Sequence, residues 1–364
     1  MPPSPPSPRP TLLPGLSRLW RDRHTLQLGL DQERAVLVEI ADPRTAGLLD
    51  LLDGTHSERQ VLTGAGARTE YARTLLDALR TAGLVVPLHT LVPRELTGPR
   101  RARLVTEAAA LALAAARLPG TPAQVLRRRL ASRVTVTGVG PLGAAIAVAL
   151  AQAGVGHVHP DLPGCVRPID LVGTGITAGE IGRPLGRAVQ AAVARSAPGT
   201  GTSALRRPRP DLVIQLGADR PAPLLAAGHA QRRQPHLMVD LREGVPVIGP
   251  LVRPPDGPCL GCLDLHRTDR DPDWPALAAQ LASRPAAPSC AASILLAATA
   301  LAVGEALHQL DGATPETLGA AIEIASPGNL RRRHWPPHPR CGCSRTRTSG
   351  GQPGRTAATR VQSQ

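Results

Sequence analysis

Residues 133–166 read RVTVTGVGPLGAAIAVALAQAGVGHVHPDLPGCV. Val134, Thr135, Val136 and Thr137 form a short β-branched run that ends at a glycine, the pattern of a buried parallel strand. Gly138, Gly140 and Gly143 follow in G-x-G-x-x-G spacing. In such a turn the first glycine makes the bend, the second lets backbone approach a phosphate, and the third lets the next helix lie close to the sheet. That helix, expected from about Leu142 to Ala153, would turn its unpaired N–H groups and positive dipole end toward an anion. Gly154 and Gly156 return the chain to a second strand, and Asp161 falls near where an acidic side chain meets a nucleotide ribose. The order strand, turn, helix, strand, acid points to a nucleotide site. The plainer alternative is a glycine-rich turn in a fold that binds nothing.

Length and composition bound the rest. A chain of 364 residues can hold two domains and bury a sizeable core. With no Phe, one Tyr and three Trp, that core must be aliphatic. All 42 basic residues are arginine, which together with abundant Ala, Gly and Pro reflects a GC-rich coding bias, so the net charge of +14 says little about a ligand. Basic runs at Arg127–Arg129, Arg206–Arg209 and Arg331–Arg333 could face phosphates or an acidic peptide. They read better as solvated surface charge, because no aromatic residues are interleaved to stack nucleic-acid bases. The Pro-rich start has no apolar core and is neither signal peptide nor anchor, and the apolar run Ser293–Val303 is too short to span a bilayer. A cytoplasmic protein is expected, with no nucleic-acid or membrane partner.

Residues 1–19 are expected to be disordered. From residue 20 the pattern becomes that of a small domain. Thr25–Leu30 and Ala35–Ile40 read as a β-hairpin, a short helix ends at Gly54, Ser57 and Gln60 form a capping box, and Thr69–Ala82 is a helix with Leu75, Leu76 and Leu79 inward. Leu84–Leu88 returns as a strand, giving a winged-helix-like domain over residues 20–90. DNA is a poor ligand for it, since Glu70 and Asp77 offset Arg73 and Arg80 on the third helix. Residues 91–130 read as a helical linker broken by Pro119 and Pro122. Beyond Asp161, a helix in IGRPLGRAVQAAVAR, a strand at Asp211–Gly217, a helix near Pro223–Gln231 and a strand at His236–Asp240 imply an α/β domain, residues 131–345, built on a largely parallel sheet. Residues 346–364 read as a disordered tail.

Cys259 and Cys262 form C-x-x-C, and Cys341 and Cys343 form C-x-C. Two close-spaced thiolate pairs suit a closed tetrahedral Zn²⁺ site that pins the C-terminus to the body. A redox pair is the alternative, and His334 or His338 could replace one cysteine. Cys165 and Cys290 stand alone and read as buried spectators.

The phrases GVGPLGAAIAVALAQAGVGHV and CLGCLDLHRTDRDPDWPALAAQL followed by HPRCGC resemble the ThiF/MoeB/HesA adenylyltransferase superfamily, bacterial relatives of ubiquitin-activating enzymes. The resemblance implies a Rossmann-like fold, ATP with Mg²⁺, structural zinc, and adenylation of a C-terminal carboxylate on a ubiquitin-like or sulfur-carrier protein or a peptide; such proteins are commonly homodimers. Carried over, Gly138, Gly140 and Gly143 match the phosphate loop and Asp161 the ribose-binding acid. Asp219 matches the catalytic aspartate placed for magnesium and the reacting phosphate, and Cys259, Cys262, Cys341 and Cys343 match the zinc ligands. Pro141 replaces a loop glycine and removes one donor, the family's Asn-x-x-Arg-Gln segment is not recognisable in RPIDLVGTGI, and its lysine aligns near Leu185 in a chain without lysine. Arg183 or Arg187 could supply that charge with a different geometry. Residues 20–90 resemble PqqD-like domains, which bind the leader of a ribosomally made peptide at a sheet edge. Together the two resemble the partner protein of azoline-forming cyclodehydratases. They imply a protein that binds a precursor leader peptide, presents it to a cyclodehydratase and carries a degenerate ATP site.

Overall fold

The computed structural model describes residues 9–345 apart from 31–34, 41–42, 115–117, 206, 208, 218–221, 255–256 and 284–288. Two compact units divide the chain, the first mainly residues 1–131 and the second mainly 132–364.

In the first unit β1 (Pro10–Leu12) pairs antiparallel with the later β5 (Val85–Pro87), while β2 (Arg18–Trp20), β3 (Thr25–Leu28) and β4 (Val36–Glu39) form an antiparallel meander. Residues 10–12 and 18–19 are therefore in strands where disorder was expected. β1 finds its hydrogen-bond partner in a strand far along the chain, which no local pattern signals. Along β3 the inward Leu26 and Leu28 are buried and Gln27 is half-buried, the alternation of a sheet with one solvated face. A 3₁₀ turn over Pro43–Leu51 leads to α1 (Glu58–Gly64), whose Ser57–Gln60 capping box is formed as the sequence predicts. α2 (Thr69–Thr81) buries Leu75, Leu76 and Leu79 against this sheet's core. The segment that reads as a linker is helical: α3 (Leu88–Leu91), α4 (Gly98–Leu113) and α5 (Pro122–Ala131). It is also packed, with Leu91, Leu104, Leu111 and Leu126 sharing a core with Leu13. Pro122 sits at the first position of α5, where a missing N–H costs nothing. Arg129 departs from the solvated-charge expectation, being 3% exposed and paired with Glu107 at 2.5 Å.

The second unit is built on a seven-stranded sheet. β6 (Arg133–Gly138), β7 (His157–Asp161), β8 (Leu212–Leu216) and β9 (His236–Arg242) are parallel, in the order β7-β6-β8-β9. β10 (Val245–Val252), β11 (Ala320–Ser326) and β12 (Asn329–His334) then continue antiparallel to the other edge. The parallel expectation thus holds for four strands. β9 and β10 are joined by the two-residue turn Glu243–Gly244, both with positive φ, the hairpin that matches strand twist. β10 escapes a sequence reading because Pro246 and Pro250 argue against a strand; Pro250 lies in a register irregularity, where no ladder donor is required.

The helices of this unit are α6 (Gly143–Gln152), α7 (Leu185–Ser196), α8 (Ala222–Gln231), α9 (Leu260–Arg270), α10 (Trp274–Ser283), α11 (Ala292–Asp311) and the short α12 (Gly342–Arg345). α6 is buried on nearly every face, which explains its run of Ala, Val, Ile and Leu. By length and composition α11 could cross a membrane, being longer than the apolar run Ser293–Val303 that defines it in sequence. Its Leu295, Ala298, Ala302 and Ala306 instead join the core of the sheet. The basic run Arg331–Arg333 lies on β12, an exposed edge strand where Arg333 pairs with Glu323 and Arg332 with Glu316, each at 2.8 Å. Charge on an edge strand discourages pairing with other chains.

Candidate nucleotide cleft and cysteine tetrad

β6 delivers the glycine turn to the carboxyl edge of the parallel strands, where α/β sheets bind ligands. Gly138 has φ +101°, and a Cβ there would collide with the Leu216 carbonyl and lie 2.8 Å from Gln215 Nε2. At Gly143, the first residue of α6, a Cβ would run into Leu216 Cδ1 and come within 2.8 Å of Leu162 Cδ2. The first and third glycines are thus required by the packing of β6 and α6 against β8 and the end of β7. Gly140 has room for a Cβ, 3.5 Å from the Leu216 side chain, and faces open space instead. No side chain caps α6, so its first N–H groups remain available.

Gly138, Val139 and Gly140 form one wall of a cleft of about 320 Å³. The other wall is the segment after β7, with Pro163, Gly164, Cys165, Arg167 and Leu185. Backbone bonds sew this wall together: Leu185 N–H to the Gly164 carbonyl at 2.9 Å and Val166 N–H to the Arg183 carbonyl at 2.9 Å. Asp161 ends β7 outside the lining, exposed, accepting the Thr137 hydroxyl at 2.9 Å. Leu185, the residue expected to align with the lysine of the resembled family, is buried in the cleft wall. Arg183 and Arg187 are exposed and do not line it. Cys165 is a cleft residue and exposed, not a buried spectator, because the loop that carries it forms the open side of the site. Cys290 is half-buried and donates to the Gly244 carbonyl at 3.3 Å. Asp219 lies outside the described residues. The cleft also holds Arg167, which sequence reading passed over because it follows no recognisable motif.

The four cysteines come together as their spacing predicts. Their Sγ atoms all lie within 4.8 Å of one another. Cys259 and Cys262 are 3.9 Å apart, Cys259 and Cys341 3.5 Å, and Cys262 and Cys343 3.3 Å. Four thiolates bound at the usual Zn–S length stand about 3.8 Å from one another, so this donor set fits a closed tetrahedral ion. Burial pushes the Cys259 thiol up to about 11 and Cys343 higher still, so without a cation these thiols keep their protons, and metal binding would release them. His338 is excluded as a ligand: its Nε2 bonds Asp269 at 2.8 Å and its Nδ1 accepts the Arg340 N–H at 3.2 Å. His334 is exposed on β12. Asp269 also pairs with Arg340, and His266 Nε2 bonds the Pro336 carbonyl at 2.9 Å. The segment before Cys341 is therefore fastened to α9 independently of any metal.

The glycine turn, the four parallel strands and the cysteine tetrad belong to an α/β protein with an MccB-like fold. Among solved structures, the microcin biosynthetic enzyme MccB in complex with N-formylated MccA superposes with TM-score 0.63 at 14% identity, over 92% of this chain and 99% of that one. E. coli MccB with ATP gives TM-score 0.61 at 16% identity over the same shares. A heterocyclase in complex with substrate and cofactor gives 0.59 at 16% identity, covering 96% of this chain and 42% of the heterocyclase. No protein-family model and no curated protein sequence matches the chain.

Proposed function

We propose that this chain is a ThiF-like protein of ribosomal peptide natural-product maturation. It holds the leader of a precursor peptide on its N-terminal unit and presents that peptide to a partner cyclodehydratase, while its own nucleotide cleft turns over slowly or not at all. The observation that carries this reading is the superposition over 92% of the chain on MccB crystallised with N-formylated MccA. The heterocyclase likeness supports the same setting. β4 is an edge of the three-stranded sheet, with Leu37 52% exposed, so a peptide strand could add there through backbone bonds. The cleft supports slow turnover because Leu185 offers no charge to phosphates and Pro141 no N–H.

In this reading the cysteine tetrad holds structural Zn²⁺ in a reducing cytoplasm, and Asp219 would take Mg²⁺ with bound ATP. The second reading is an active adenylyltransferase that charges the C-terminal carboxylate of a carrier protein. It is favoured by the open glycine turn and by Asp161 at the end of β7. ATP–pyrophosphate exchange with a precursor peptide bearing a free C-terminus separates the two. Exchange at background level, with peptide binding by fluorescence polarisation that Leu37→Asp weakens, is expected. Exchange at enzyme-like rates would establish the second reading.

A further inference from the structure

The basic run Arg331–Arg333 serves neither the cleft nor the cysteine tetrad, and the fold places it on an open sheet edge. β12 closes one side of the seven-stranded sheet, with β11 as its neighbour and five of its six residues exposed. The Trp335 N–H bonds the Gly319 carbonyl at 3.2 Å, and His334 stands opposite Ala320 in the antiparallel register. Residues 331 and 333 therefore turn their backbone groups to β11, while those of Arg332 and His334 face the open edge. Among the described residues nothing bonds the N–H or carbonyl groups of Arg332 and His334.

Charge decides what can fill this edge. Glu323 lies opposite Arg331 but pairs with Arg333, and Arg332 pairs with Glu316, each at 2.8 Å. Arg331 has no carboxylate within ion-pair reach among the described residues. Both members of the Arg332–Glu316 pair are exposed, so it is weak and open to exchange. A second copy pairing antiparallel about Arg332 would set Arg332 against Arg332 and Arg331 against Arg333, and like charges directly opposite are destabilising. A strand with carboxylates at those positions reverses the sign, gains the unspent backbone bonds and covers Leu330, which is 54% exposed. The charge that repels a second copy thus selects an acidic strand, and the net +14 draws it in.

We propose that β12 is a docking edge for an acidic, extended segment of a partner protein, which adds to the seven-stranded sheet as an eighth strand with carboxylates beside Arg331 and Arg332. The surface is independent of the nucleotide cleft and of the β4 edge.

Fluorescence polarisation on the full chain tests this, with a labelled heptapeptide of alternating Glu and Val and its Arg–Val counterpart as probes. The acidic peptide is expected to bind, more weakly as salt rises, and the basic one not at all. Arg332→Gln removes one charge and should lower affinity by up to about fivefold. Arg332→Pro also removes an outward N–H that the sheet itself does not use, and should lower it by more than about tenfold. Arg331→Glu/Arg332→Glu should reverse the preference toward the basic peptide. In the wild type, the acidic peptide should slow hydrogen exchange at the Arg332 and His334 amides, a readout that needs no variant. Equal losses in the Gln and Pro variants, with no amide protection, would reduce the edge to a charged patch and overturn strand addition. Inorganic polyphosphate bound as tightly as the acidic peptide, and lost in the same variants, would overturn the protein partner. Protection of those amides by dimerisation of the chain itself would overturn the choice of occupant.

Discussion

Gly138 shows how a single residue couples the turn to the sheet. Its φ of +101° suits glycine alone among common residues, and the space a Cβ would fill holds the Leu216 carbonyl. Gly138→Ala is expected to destabilise the second unit by about 2–3 kcal/mol, read from urea unfolding. At the same scale, His229 and His236 stack with ring centroids 4.0 Å apart, and the Nε2 atoms of both are buried without a partner among the described residues. Burial and then His229 lower His236 to about 3, and burial and then Arg232 lower His229. The unfolded chain therefore binds more protons than the folded one below about pH 6.5, so this pair destabilises the fold increasingly as pH falls from 6.5 toward 3. Urea midpoints measured at pH 7, 6 and 5 should decline, and His236→Asn should flatten the decline.

Elements fasten one another at the C-terminal end of the chain. α9 begins just after Cys259 and carries Cys262, and it meets Cys341 and Cys343, which flank the start of α12. One bound Zn²⁺ per chain is expected by elemental analysis. Cys262→Ser should reduce zinc content and raise hydrogen exchange in residues 341–345, which hold two of the four cysteines. Protection near Pro336 should change less, because His266 and His338 hold that stretch through Pro336 and Asp269. Unchanged exchange at residues 341–345 in metal-depleted protein would argue against the pinning role.

Over the whole molecule, each unit carries its own buried aliphatic core, one around Leu26, Leu28, Ile40 and Leu79, the other around Ile146, Leu150, Val189 and Ile214. Scanning calorimetry is expected to deviate from a single two-state transition. A chelator should lower the transition of the unit that carries the cysteine tetrad and leave the other in place. One coincident transition that shifts as a whole would show that the two units unfold together.

The sequence alone determined the parts whose chemistry is local. G-x-G-x-x-G after a β-branched run reads as strand, turn and helix because three glycines at that spacing serve backbone geometry, and two cysteine pairs read as one metal site because each pair is pre-paired by its neighbours. Ser57 and Gln60 announced the start of α1 for the same reason. Only the tertiary structure decided what depends on distant partners. β1 needs β5, β10 tolerates Pro250 because its register slips there, and the linker is a packed helical core because Leu13 reaches it. Arg167 belongs here too: nothing in the neighbouring residues marks it, and only the folded chain places it in the cleft wall across from the glycine turn. Local backbone demands are written in neighbouring residues, whereas burial and charge placement are properties of residues that meet only after the chain has folded.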